Sequence, residues 1–121
     1  MDPRELGRKG EDVAARFLEA RGWRILGRNV RLGRREVDVI ATRGQVLAFV
    51  EVKSRSGEGY GDPLEAITEK KRQEIARAAA GWLREHAPVH IGTIRFDAIG
   101  IRWPRNGPLV IRHVQDAWRM G

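Results

Sequence analysis

Three charged residues stand inside apolar stretches where a buried strand would carry none. They are Asp38 in Glu36-Val37-Asp38-Val39-Ile40, and Glu51 and Lys53 in Phe49-Val50-Glu51-Val52-Lys53. Two carboxylates and an amine have a definite chemistry if they meet. Converging carboxylates repel, and they stay ionised comfortably only with a cation between them. Oxygen donors suit Mg2+ or Mn2+, which keep several of their waters. A bound metal lowers the pKa of water far below its bulk value of about 15.7. An amine beside it can orient that water and stabilise charge on a phosphate. Asp38 and Glu51 are thus the expected metal ligands, with the Val52 carbonyl as a further one and Lys53 as the assisting amine. These are the parts of a metal-dependent phosphodiesterase. The bland alternative is a salt-bridge ladder on a solvated face, and for an isolated Glu-x-Lys it is the better reading. The flanking Leu47-Ala48-Phe49-Val50 favours a covered sheet, where a charge is costly without a partner or a role.

Strand parity carries the geometry. If Arg43-Gly44 are the central residues of a turn, Thr42 faces Gln45, Asp38 faces Phe49 and Glu36 faces Glu51. Asp38, Glu51 and Lys53 then share one face of the sheet. Asp38 and Glu51 are diagonal neighbours on this register, with Cα atoms about 7–8 Å apart. A turn longer by one residue would send Asp38 to the other face.

The elements that must hold these residues read clearly. Asp2-Pro3-Arg4-Glu5 is a helix start, with a capping carboxylate and a proline at the first helical position. Val13, Ala14, Phe17 and Leu18 recur at helical spacing, and Gly22 ends the helix. Gly7 and Gly10 are costly inside it unless something approaches closely or the start frays. The period then becomes two. Strands are expected at 23–32, 36–42 and 45–54, joined by turns at Gly33-Arg34 and Arg43-Gly44. A Gly-rich loop at 56–61 precedes a second capping pattern, Asp62-Pro63-Leu64-Glu65. A helix to about His86 follows, with Thr68 as a second cap after a short break. A fourth strand is expected over 90–101, and a fifth strand or edge over 109–114 beyond the Asn106-Gly107 turn. The order gives an α/β sandwich: a mixed sheet of about five strands with two main helices, on opposite faces or both on one.

Composition sets the bounds. The chain has 121 residues, enough for one domain over 1–121. It has no Cys, which excludes disulfides, thiolate metal sites and a cysteine nucleophile. No apolar run reaches the ~18 residues of a membrane span, and no signal-peptide stretch opens the chain. A soluble cytoplasmic protein without membrane contact is the expectation. Lys and Arg number 23 against 16 Asp and Glu, a net charge of +7. That balance favours an anionic partner, nucleic acid first, although genomic composition explains an Arg bias as well.

On these residues the chain resembles the PD-(D/E)XK nuclease superfamily, also called restriction-endonuclease-like. Asp38 matches its first acidic position and Glu51-Val52-Lys53 its (D/E)XK; Val37 stands where a proline is usual. The whole chain is similar to the YraN-like family of small bacterial proteins. Gly7-Arg8-Lys9-Gly10-Glu11, Gly22-Trp23, Arg35 to Ala41 and Phe49 to Arg55 carry that likeness. Gly61-Asp62-Pro63, Lys70-Lys71-Arg72 and Arg95-Phe96-Asp97 extend it over roughly nine-tenths of the chain. The resemblance implies the restriction-endonuclease-like core, and a fold similar to archaeal Holliday-junction resolvases. It also implies that Glu11 is a further acidic residue near the metal. The spacing allows this, since Gly7, Gly10, Glu11, Ala14 and Leu18 put Glu11 beside the buried stripe of the first helix. By spacing alone, a solvated pairing of Glu11 with Arg8 or Arg16 is the better reading.

The remaining polar residues take supporting roles. Glu36 could bind a second ion or be a surface carboxylate. Arg8, Lys9, Arg34, Arg35 and Arg55 flank the expected site and would hold backbone phosphates without reading bases. Lys70, Lys71 and Arg72 lie near a helix start, where the dipole disfavours cations and a phosphate would relieve them. Trp103-Pro104 is a candidate stacking loop, and the three His have no ligand spacing. The reading is a Mg2+- or Mn2+-dependent nuclease with Asp38, Glu51, Lys53 and Glu11 at its centre. DNA is the first expected substrate, with branched or repair intermediates among its forms and a homodimer suited to cutting two strands. One alternative is a non-catalytic nucleic-acid binder on a nuclease scaffold. Another is a protein-interaction module using the segment from Val114 to Met120.

Overall fold

The computed structural model describes residues 2–57, 63–86, 88 and 90–119. The first helix, α1 (Pro3–Ala20), begins as the sequence dictates. Asp2 Oδ1 accepts the Glu5 N–H at 2.9 Å and Pro3 occupies the first turn. Gly22 takes φ 85°, the left-handed conformation that glycine reaches without strain, and the chain leaves the helix there.

Strands β1 (Arg24–Leu32), β2 (Arg35–Arg43) and β3 (Val46–Ser56) form an antiparallel meander. Leu32 pairs with Arg35, so Gly33-Arg34 is the first turn, as expected. The second turn lies one residue later than expected. Arg43 pairs with Val46, which leaves Gly44-Gln45 at the centre. Gly44 has φ 59°, and the hairpin turns that match strand twist need positive φ at their first central position. Phe49 therefore faces Ile40 rather than Asp38.

A single 3-10 turn at Pro63–Ala66 replaces the expected start of the second helix; Asp62 and most of the Gly-rich loop lie outside the described residues. The helix proper, α2 (Glu69–His86), starts after Thr68, whose Oγ1 accepts the Lys71 N–H at 3.1 Å. Strand β4 (Thr93–Trp103) begins later than position 90, because His90 takes φ 66° and leaves extended geometry. Strand β5 (Val110–Trp118) is longer than expected. It absorbs most of the segment from Val114 onward, and Trp118 is buried against Phe96 with ring centroids 5.5 Å apart. That end is anchored by Trp118, while Gln115, Asp116 and Arg119 stay exposed; Met120 lies outside the described residues. Trp103 lies on β4 instead of in a loop, and its indole N–H donates to Ser54 Oγ at 2.8 Å.

The sheet order is β1-β2-β3-β4-β5. Only β3 and β4 run parallel, because α2 supplies the long crossover that parallel neighbours need. This is the expected α/β fold of two helices and a five-stranded mixed sheet. One helix packs on each face. Ala14 and Leu18 of α1 meet Val39, Ala41, Val50 and Ile99. Ile75, Ala78, Ala79 and Trp82 of α2 meet Ile40, Leu47 and Phe49. No helix among the described residues is long and apolar enough to cross a membrane.

The glycines of α1 separate into two kinds. A Cβ at Gly10 would lie 2.5 Å from Ser54 Oγ and 2.9 Å from its Cβ, so α1 rides closely over β3. A Cβ at Gly7 would meet nothing within 4 Å. Gly10→Ala is expected to destabilise the fold by about 1–3 kcal/mol, since Ser54 cannot move without releasing Trp103. Gly7→Ala is expected to stabilise it by up to ~1 kcal/mol through helix propensity. Urea unfolding of the two variants checks both signs.

Candidate metal centre

The site forms where the meander forks. The paired register of β2 and β3 ends at Val39 with Val50. One step further the Val52 N–H donates to Asp38 Oδ2 at 2.8 Å, so a side chain takes over from the ladder. Continuing the register puts Glu51 directly across from Asp38, not diagonal to it.

The alternation of faces also breaks here. Val39 packs in the cluster under α1, while Val37 packs in the cluster under α2. On β1, Arg28 reaches α1, its Nη2 donating to Asp12 Oδ1 at 2.6 Å, whereas Val30 packs on the α2 side. Between them lies Asn29 with φ 50°, across from Asp38. The reversal turns Glu36 toward α1. Carboxylate oxygens of Glu11, Glu36 and Asp38 come within 4.8 Å of one another, all three residues partly buried. Glu51 and Lys53 instead follow Phe49 toward α2. The expectation of one face shared by Asp38, Glu51 and Lys53 is thereby corrected. Asp38 sits at the break, with Glu11 and Glu36 to one side and Glu51 and Lys53 to the other.

Glu51 is 5% exposed. Its Oε1 lies 4.0 Å from Lys53 Nζ, and its buried Oε2 has no hydrogen-bond partner among the described residues. Burial pushes its carboxyl up to about 9, the Asp38 carboxyl adds to the push, and Lys71 and Lys53 oppose it. Glu11 is raised as well, by burial first and then by Asp38, against a hydrogen bond from Asn29. Carboxyls crowded beside one another are relieved either by holding a proton or by a cation between them. All the donors are oxygens, the set that Mg2+ and Mn2+ prefer.

The other expected residues distribute as follows. Arg8 and Lys9 line a cleft of about 380 Å3 beside Glu11, together with Arg28 and Asn29. Lys9 is 3.4 Å from Glu5. Arg34, Arg55 and Lys70 are exposed, and Arg35 is half-buried. Arg72 is engaged inside the fold: its Nε donates to the Ile67 carbonyl at 3.1 Å and its guanidinium lies over Trp118. Lys71 approaches the site from α2, which its place beside a basic run did not suggest. Asn29 was missed, and Glu36 was left open; an Asn interrupting a period-two stretch was the available signal for the former.

The stability of the metal-free protein follows from Glu51. A carboxyl whose folded value lies above its unfolded one favours the fold while protonated. The Glu51 contribution to stability is therefore full below about 4.5 and is lost as pH rises toward about 9. Glu51→Gln removes that fall and is expected to raise the melting temperature at pH 8 by several degrees. Thermal unfolding of both proteins across pH 5–9 without divalent ions measures it.

The profile described as "Uncharacterised protein family UPF0102" matches residues 10–101. A UPF0102 protein of Leifsonia xyli subsp. xyli is 48% identical over 104 residues, covering 84% of this chain and 87% of that protein. One of Chlorobaculum tepidum is 50% identical over 99 residues, covering 82% of this chain and 76% of that protein. Among solved structures, Pyrococcus furiosus SfsA in complex with Ca2+ is similar at a TM-score of 0.36 and 15% identity, covering 94% of this chain and 64% of that one. With a family profile spanning most of its length and relatives at about half identity, the chain belongs to the uncharacterised protein family UPF0102.

Proposed function

We propose that this chain is a metal-dependent nuclease of the PD-(D/E)XK type, hydrolysing phosphodiester bonds in nucleic acid, with DNA as its first substrate. The observation that carries the reading is the buried Glu51 Oε2 without a partner, on a carboxyl that stands across from Asp38 and whose other oxygen, Oε1, lies 4.0 Å from Lys53 Nζ. A structural carboxylate at such depth is normally satisfied on both oxygens. Here one is left for a ligand.

Asp38, Glu11 and Glu36 would hold the ion with their converging oxygens, and Glu51 would add one from the other arm of the fork. The Val52 N–H fixes the Asp38 carboxylate through Oδ2, which would orient it for the ion. Mg2+ or Mn2+ supplies, when bound, a water acidic enough to attack a phosphodiester at neutral pH. Glu51 must release its proton for the site to load. Lys53 Nζ lies 4.0 Å from that carboxylate, where its charge would stabilise the charge that grows on the phosphate. Arg8, Arg34, Arg35, Arg55 and Lys70 supply positive charge around this end of the sheet for the nucleic-acid backbone.

With Mn2+ or Mg2+ present, the purified chain is expected to cut at least one of linear, flapped and four-way DNA. Lys53→Ala and Glu51→Ala are each expected to lower the rate by about a hundredfold or more. Uncut DNA across all three forms overturns the reading. The net charge of +7 then favours the non-catalytic binder, which salt-sensitive DNA retention without a metal requirement identifies.

A further inference from the structure

We propose that Asn29 is a positioning residue of this centre, donating its side-chain amide to the Glu11 carboxylate and aiming it at Asp38 and Glu36. The inference rests on the metal-binding reading above.

Three observations place Asn29 there. Arg28 pairs with Val39 and Val30 with Val37, so Asn29 stands across the ladder from Asp38. It acts on Glu11, which reaches the same point from α1, by lowering that carboxyl against the push of its burial. It also lines the cleft that opens beside Glu11. One residue of β1 thus contacts or faces two of the three carboxylates that converge within 4.8 Å.

The backbone restricts which residue can do this. Asn29 has φ 50°, a conformation that Gly, Asn and Asp take most readily. Gly would leave Glu11 without a donor. Asp would add another negative charge to a cluster already crowded with them. Of the three, only Asn offers an N–H and no charge. A carboxylate approaching a cation binds best when a neighbour fixes its orientation, and loss of such a neighbour usually costs about 10–100-fold in metal affinity.

The test is calorimetric titration of Mn2+ into the metal-free full chain at about pH 7, with thermal unfolding alongside. Asn29→Gly keeps the backbone conformation and removes the amide. It is expected to weaken Mn2+ binding by about tenfold with an unchanged melting temperature. In a Glu11→Gln background the same change is expected to have no further effect, because Asn29 acts through Glu11. Affinity within about twofold of wild type, or an equal loss in the Glu11→Gln background, overturns the role of Asn29 and leaves the metal reading intact. A weakened affinity accompanied by a lowered melting temperature also overturns it, since the loss then belongs to the fold. Failure of the wild-type chain to bind Mn2+ overturns the metal reading itself, and this inference with it.

Discussion

A carboxyl taken out of water must shed its charge or find a partner for each oxygen. The fold gives the two buried acids opposite answers. Asp97 is fully buried, and its oxygens accept from Arg95, from His113 and from the Asp116 N–H. Burial alone would raise it, but those bonds outweigh burial and hold it below the usual carboxylate range. Glu51 is nearly as deep, beside another carboxyl, with one oxygen unpartnered and the nearest amine at 4.0 Å. Asp97 holds β4 against the irregular stretch of β5, where Asp116 takes φ 52°. Glu51 has only the long contact to Lys53 and its neighbour Asp38. An acid that costs stability without giving structure is where chemistry is expected.

The sequence was most legible where rules are local. The capped start of α1, the glycine at its end, the first hairpin and the alternation of β3 each depend on residues within a few positions of one another. The second hairpin was misplaced by one residue, because the glycine signal marks a turn without fixing its position within it. That error preserved parity, so Asp38 and Glu51 still met. Parity itself then failed at Asn29 and Asp38, where both strands reverse the phase of their pleat. Counting by twos assumes an unbroken ladder, and nothing within β2 alone announces the break. Glu36 therefore points to a side that counting could not give. Glu11 came from family resemblance; spacing only permitted it.

Positive charge divides between structure and surface. Arg95 and Arg72 are bound into the fold, and Arg28 ties β1 to α1. Arg34, Arg55 and Lys70 stay exposed. The count of 23 Lys and Arg thus overstates what the protein can offer a polyanion, because some of them are already engaged within the fold. Lys71 belongs to neither group. It lies one turn before Ile75 on the sheet-facing stripe of α2, and its charge acts on Glu51 from above.

The parallel neighbours β3 and β4 impose an order of assembly. Asp38, Glu36, Glu51 and Lys53 all lie on two adjacent strands of the meander, whose loops close over short separations. The pairing of β3 with β4 waits for the crossover through α2, and that crossover lays the cover over the α2 side of the sheet. The acidic hairpin is then wet before it is dry. Capping it with α2 takes Glu51 out of water, and the covered carboxyl is then favoured with a proton on it or a cation beside it.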